Sequence, residues 1–362
     1  MTDTRFGGAG GALRVALLLG TGAVAGWLFQ RLGSPLPWMI GPLVATALLS
    51  ASGRVAVSVP DRIRPFGQIV VASQVGLTFS PDAAATLAAQ APAILATALA
   101  TLIGIVGVSI AFARWNGMSY AQSFLASVPT SPVEAAEMTA ARGLDPMPVI
   151  FLHTLRMSAV VVLLPFALFA VEGWPASRTM PYADQPFRLA DIALLLAIGF
   201  AAMHLFRRLR VPNPNFLGPL AAMAALAVSG HGLAPYPAAI LSAAQVVLGC
   251  WLGSTFRRDR MARAGRLAAT GSATILALLS LCSALAVAIA LAAGLDWRIV
   301  LLGAAPGGVT EMALTAKVLQ RDATTVTAFH LTRIFLFMPS IPWIVALIAR
   351  LDRPAPNAGD PP

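Results

Sequence analysis

Residues 1–177 and 178–351 of this chain match one another at a constant offset of 177 positions, with no gap. Phe29, Arg31, Leu32, Pro35 and Pro37 recur as Phe206, Arg208, Leu209, Pro212 and Pro214. Gly41-Pro42 recurs as Gly218-Pro219, Gln68 as Gln245 and Gly76 as Gly253. Further along, Pro129, Glu134, Asp145, His153 and Arg156 recur as Pro306, Glu311, Asp322, His330 and Arg333. One spacing shared by so many glycines, prolines and polar residues reads as an internal duplication, so any fold must suit both halves. The match also bears on the N-terminus. Arg5 and Arg14 precede an apolar run as in a signal peptide, but that run is the first element of the duplicated unit and is expected to stay in the mature protein. The proline-rich stretch 352–362 falls outside the match and reads as a disordered tail.

What the halves are made of decides their solvent. The 362 residues are 57% hydrophobic and 11% charged, where a soluble domain carries about 25% charge. Apolar windows close to the length of a bilayer crossing occur at 12–30, 92–113, 149–171, 272–295 and 326–349. Strict apolar/polar alternation is missing, which selects helices over a β-barrel. The lipid bilayer is therefore the expected partner. The net charge of +10 is almost all arginine set between apolar segments, a pattern that reports topology. Interleaved aromatics, zinc-finger spacing and a helix-turn-helix pattern are absent from the sequence, so direct nucleic-acid binding is not expected. Cys250 and Cys282 both sit in apolar surroundings and point to no metal or redox role.

Each half reads as a helix, a second helix opening at a proline-rich turn, a shorter apolar segment, a long helix, a broken element and a final helix. The shorter segments lie at 66–80 and 241–256, the broken elements at 120–142 and 299–317. Equivalent loops differ in charge. Arg54, Arg62 and Arg64 follow the second helix of the first half, and residues 230–237 carry no cation. After the short segment the order reverses, with no cation at 80–90 but Arg257, Arg258, Arg260, Arg263 and Arg266 in the counterpart. If positive loops stay in the cytoplasm, the halves are inverted, which needs an odd number of spans in each. The expected fold is an all-α integral membrane protein of about ten transmembrane helices in two homologous, inverted repeats. Each repeat has one broken re-entrant element, the two breaks meet near the midplane, both termini are cytoplasmic and the linker 172–188 lies outside.

The breaks gather the residues that could carry chemistry. Pro129, and Pro306 with Gly307 and Gly308, interrupt apolar sequence and free backbone groups that lipid cannot satisfy, which marks a cavity or a protein-lined site. Glu134 and Glu311 follow near the start of the next helix. They read either as caps that complement the helix dipole or as carboxylates facing a cavity at the repeat interface, carrying a proton or a cation. His153 with Arg156, and His330 with Arg333, share a helix face. Each pair reads either as an interfacial pair with a snorkelling arginine or as an anion site. Gln68 and Gln245 are read as packing residues. The lone lysine, Lys317, faces Ala140 in the first half, and no Schiff-base role is expected of it. His153, His204, His231 and His330 are scattered, so no catalytic residue, metal site or cofactor is assigned.

The run PLPWMIGPL after the first helix, PGGVTEMAL at the second break and FHLTR on the last helix, together with the twofold match, resemble the bacterial AbrB-type membrane protein family and its AbrB duplication. The resemblance covers nearly the whole chain. In the first half Val128-Pro129-Thr130-Ser131-Pro132 stands where the family favours a glycine pair. Members are labelled transcriptional regulators or ammonia monooxygenases, and the four histidines give the second label no metal constellation. The resemblance implies an inner-membrane protein, not an enzyme, that affects gene expression indirectly and shares its name with an unrelated soluble DNA-binding regulator. The architecture alone suggests a second function, a secondary transporter or permease for a small anionic solute. There Glu134 and Glu311 would be coupling groups and Arg156 and Arg333 substrate anchors.

Overall fold

The computed structural model describes residues 9–53, 59–60, 62–130, 132–173, 188–230, 233–258 and 265–352. Among these residues all regular structure is helical. The first stretch gives α1 (Ala9–Arg31), α2 (Pro37–Ala51), α3 (Arg64–Gly76), α4 (Pro81–Asn116), α5 (Tyr120–Ser127), α6 (Pro132–Ala140) and α7 (Met147–Glu172). The second gives α8 (Leu189–Arg208), α9 (Pro214–Val228), α10 (Ala238–Gly253), α11 (Arg266–Ala293), α12 (Trp297–Ala304), α13 (Val309–Val318), α14 (Ala323–Ile348) and a final 3-10 turn (Ala349–Leu351).

Six stretches are long and apolar enough to cross a membrane: Gly11–Arg31, Ala85–Asn116, Met147–Glu172, Leu189–Arg208, Arg266–Ala293 and Ala323–Leu351. They also turn large apolar side chains outward, with Ile103 72% and Trp343 80% exposed. A surface of that kind suits hydrocarbon and not water. Helices α2, α3, α9 and α10 have only 15, 13, 15 and 16 residues. At about 1.5 Å per residue they reach roughly 20–24 Å, short of a hydrocarbon core about 30 Å thick. Where the sequence suggests about ten spans with one shorter segment in each half, six of the helices are long enough to cross, and α2, α3, α9 and α10 are shorter than a straight crossing needs.

The helix boundaries keep the sequence offset. Pro37–Ala51 matches Pro214–Val228, and Tyr120–Ser127 matches Trp297–Ala304. Left-handed backbone recurs at matched sites as well. Gly33 pairs with Arg210, Leu36 with Asn213, Gly53 with Gly230, Gly117 with Gly294 and Gly143 with Gln320, all at positive φ. Leu36 and Asn213 cap the starts of α2 and α9, and the others stand where a helix has ended and the chain turns, a place that favours left-handed backbone.

The chain divides into two compact units. Unit 1 comprises 1–91, 158–263 and 308–328 and so holds α1–α3, α8–α10 and α13. Its packing is cross-linked between the sequence halves: α10 packs on α1 and α2, and α3 packs on α8 and α9. Glycine makes both triads possible. A Cβ on Gly41 would stand 2.6 Å from the Ala25 carbonyl oxygen of α1, and one on Gly218 would stand 2.6 Å from the Ala202 oxygen of α8. Near the exchanged helices, a Cβ on Gly22 would meet Cys250, Val246 and Pro42, and one on Gly199 would meet Ser73, Ile69 and Pro219, the matched residues. Hydrogen bonds then fix the short helices in place. Gln68 Oε1 accepts from Asn215 Nδ2 at 3.2 Å, and Gln74 Oε1 accepts from the Tyr236 N–H at 3.0 Å.

Unit 2 comprises 92–157, 264–307 and 329–362 and holds most of α4, α5, α6, the first part of α7, α11, α12 and most of α14. Three of its helix starts are met by side chains. Asp145 Oδ1 accepts from the Met147 N–H at 2.9 Å, and Asp296 Oδ1 accepts from the Arg298 N–H at 3.0 Å. The start of α5 is served twice. Ser119 Oγ accepts from the Gln122 N–H at 3.1 Å, and Asp352 Oδ1 accepts from the Tyr120 N–H at 2.6 Å. The tail expected from residue 352 onward therefore begins with a docked carboxylate, while 353–362 lie outside the described residues.

Because the helix backbones meet at Gly218, a methyl group there has nowhere to go. Gly218→Ala is expected to destabilise the protein by about 1–3 kcal/mol, the usual penalty of overpacking. A lowered midpoint of thermal unfolding in detergent checks it, and an unchanged midpoint would contradict the close approach.

Candidate functional site

The two breaks have the same backbone geometry. Helix α5 ends at Ser127, and Val128 turns to extended backbone (φ −67, ψ 133). Helix α12 ends at Ala304, and Ala305 does the same (φ −53, ψ 132). Each is followed by a proline, Pro129 or Pro306, which has no N–H to offer. The Thr130 N–H returns to the Val128 oxygen at 2.9 Å and the Gly307 N–H to the Ala305 oxygen at 2.8 Å. The carbonyls of the helix end still lack the helical donors they would have had.

An arginine supplies them in each case. Arg156 Nη1, on α7, donates to the Ser127 oxygen at 2.7 Å and the Val128 oxygen at 3.0 Å. Arg333, on α14, donates from Nη1 to the Ala305 oxygen and from Nη2 to the Gly307 oxygen at 2.8 Å. Arg156 is 2% and Arg333 4% exposed, so neither snorkels to a headgroup. Burying a guanidinium is unfavourable unless its N–H groups are met, and the break carbonyls meet several of them. All these partners lie in unit 2.

The histidines stand one turn before the arginines. His153 and His330 are fully buried. His153 Nδ1 donates to the Val149 oxygen at 3.0 Å, closing a bond within its own helix. The ring also meets the Val128 carbonyl, one of the two that Arg156 holds.

The two carboxylates differ. Glu134, in the first turn of α6, is half-buried, and its Oε2 accepts from Thr130 Oγ1 at 3.2 Å. Glu311, in the first turn of α13, is 8% exposed. Helix α13 packs on α3 within unit 1, which brings Glu311 into electrostatic reach of Arg64. The Arg64 guanidinium itself lies 3.9 Å from the centroid of the Trp251 ring. One of the three arginines read as a topology signal is thus partly buried and engaged. The position matched to Arg64 in the second half is Leu241, so the sequence match could not have singled it out.

Three further residues matter here. Lys317 Nζ donates to the Gln74 oxygen at 3.1 Å, where α3 ends and a cation complements the helix dipole. Being the sole lysine was the only hint of it. Asp322, repeated from Asp145, caps α14 through the Thr324 N–H at 2.9 Å. Cys282 of α11 is buried within electrostatic reach of both Arg156 and Arg333. No group of three or more histidine, cysteine or acidic side chains among the described residues could hold a metal ion.

Comparison with known proteins gives one family. The family model described as Transition state regulatory protein AbrB matches residues 38–349. The chain is 24% identical over 356 residues to "Uncharacterized protein YhjN" of Bacillus subtilis (strain 168), covering 91% of each chain. It is also 24% identical over 340 residues to "Putative regulator AbrB" of Escherichia coli (strain K12), covering 92% of this chain and 94% of the relative.

The arginine clamps give a graded expectation. Arg333→Met removes two charge-assisted bonds and bares the Ala305 and Gly307 carbonyls, at about 3–5 kcal/mol, and Arg333→Lys, which keeps one donor group, loses roughly half of that. Thermal unfolding of the two variants in detergent checks the order. Equal stability of wild type and Arg333→Met would refute the clamp.

Proposed function

Since the chain belongs to the AbrB family, we propose that it is a multi-pass protein of the bacterial inner membrane that regulates gene expression indirectly and not by binding DNA. The carrying observation is the set of six long apolar helices with outward apolar side chains, a surface made for lipid. The name of the Escherichia coli relative supports the regulatory half of the reading. Its buried charges argue in the same direction. Arg156 and Arg333 are turned into the protein, where they serve backbone carbonyls, and so are not offered to the phosphates of a nucleic-acid backbone.

In this reading the chain consists of two inverted repeats, 1–177 and 178–351. Each has five spans and one re-entrant broken element, and both termini are in the cytoplasm. The matched helix boundaries and matched left-handed residues support the duplication. The opposite charge of equivalent loops supports the inversion.

The broken elements favour a mechanism for the indirect effect, namely transport. Helices interrupted at depth, with their freed backbone groups held by buried side chains, are a recurrent feature of secondary transporters. Glu134 and Glu311 would then couple the movement of a small anionic solute to a proton or cation. A transporter that sets the level of a metabolite alters transcription without touching DNA. The chain carries no catalytic step in this reading.

Two measurements test the proposal. On a cysteine-free background, single cysteines at Ser52 and Ser229, matched and both exposed, should label from opposite faces of the membrane, and labelling from one face would sink the inverted arrangement. Deletion of the gene should shift transcript levels, and Glu311→Gln at normal membrane abundance should fail to restore them. Full restoration by Glu311→Gln would remove transport from the mechanism, and recovery of one DNA sequence crosslinked to the chain would overturn indirect action.

A further inference from the structure

Among the described residues the buried charged side chains are Arg156, Arg333 and Glu311. Glu311 belongs to unit 1, and both cations belong to unit 2. The described carboxylates of unit 2 are Glu134, Glu137, Asp145, Asp296 and Asp352, and none of them is buried. Four already have partners in Thr130, the Met147 N–H, Arg298 and the Tyr120 N–H. The interior of unit 2 therefore holds two positive charges with no buried carboxylate beside them. The two guanidinium groups are also within electrostatic reach of each other, so each raises the cost of burying its neighbour.

The hydrogen bonds leave a matching gap. Both arginines use Nη on the break carbonyls, yet the Nε–H of each is buried with no partner. A water molecule could accept from one Nε–H but would leave the charge uncompensated. A guanidinium edge suits the oxygens of a carboxylate, phosphate or sulfate, and a double negative charge would match the two arginines.

We propose that unit 2 binds a small dianionic oxyanion between Arg156 and Arg333, accepting from the Nε–H of each while their Nη groups continue to hold the two breaks. The anion thus completes the clamps. One group serves the backbone and the ligand together, so occupancy of the site and integrity of the breaks are linked. The identification of this anion with a transported solute rests on the transport reading above. Its binding does not.

The test uses the full chain in detergent, with thermal unfolding followed by tryptophan fluorescence. Potassium sulfate, phosphate and succinate are compared with potassium chloride at equal ionic strength. At least one dianion should raise the unfolding midpoint by several degrees in a saturable manner, as a ligand of the native state does, and chloride should not. Cys282→Asp places a carboxylate near both arginines. It should melt higher than wild type without added anion and lose the dianion response. The proposal is overturned if no dianion exceeds chloride, or if Cys282→Asp responds as wild type does. Should Cys282→Asp fail to fold, alkylation of Cys282 in a Cys250→Ala background decides, because the dianion should slow it and an unchanged rate would overturn the site. Flux of the same labelled dianion into proteoliposomes separates the two ideas. Saturable binding without flux keeps the site and removes the transport reading, and flux without binding at the arginines does the reverse.

Discussion

A helix broken away from water leaves carbonyls that something must satisfy, and in this protein the donors are the Nη groups of Arg156 and Arg333. Much else depends on that contact. The proline after each break cannot donate, so the arginine is needed. The arginine is long, so it can stand on the second helix after the break and still reach back about 28 residues along the chain to it. Its burial excludes lipid and water from the break, which keeps the bonds strong. The same burial leaves two cations in one interior, and it is this imbalance, more than any single pocket, that gives the site its chemical character.

Much of this was legible in the sequence, for a physical reason. Proline and glycine act locally, so Pro129 and Pro306 announce the breaks whatever surrounds them. The polar residues around the breaks could be picked out because the two halves retain them. Their partners could not. Spacing along a helix shows that His153 and Arg156 share a face, but not that Arg156 turns toward Ser127 and Val128. Arg64 was hidden for a related reason. It looks like any other loop cation until the fold places it over Trp251 and near Glu311. The shortness of α3 and α10 showed in the length of their apolar segments, but that of α2 and α9 did not, because both are as apolar as the long helices and stop at 15 residues.

The matched positions are not equal, and their differences are as informative as their agreement. Gly33 and Gly143 adopt left-handed backbone easily, yet Arg210 and Gln320 hold the same conformation with a side chain present. That costs about 1–2 kcal/mol at each site, and the balance reverses at the pair Leu36 and Asn213, where the first half holds the less tolerant residue. The amide oxygen of Gln68 has Asn215 as its donor, and the matched oxygen of Gln245 is buried with none. Glu311 is buried near a cation, where Glu134 is half-exposed and held by a threonine. Matched positions thus sit in different surroundings in the two halves.

The exchange of α3 and α10 between the two triads of unit 1 has a consequence for biosynthesis. When α1 and α2 leave the ribosome, the helix that will cover Gly22 and Pro42 has not been made. Between Ala51 and Ala238 lie roughly 190 residues, and at about 5–20 residues per second the wait is on the order of 10–40 s. Throughout that interval the glycine faces of the first triad stand open in the bilayer, available to any passing helix. The protein cannot be assembled one half at a time. Its first half must be held, by lipid or by the insertion machinery, until the second arrives.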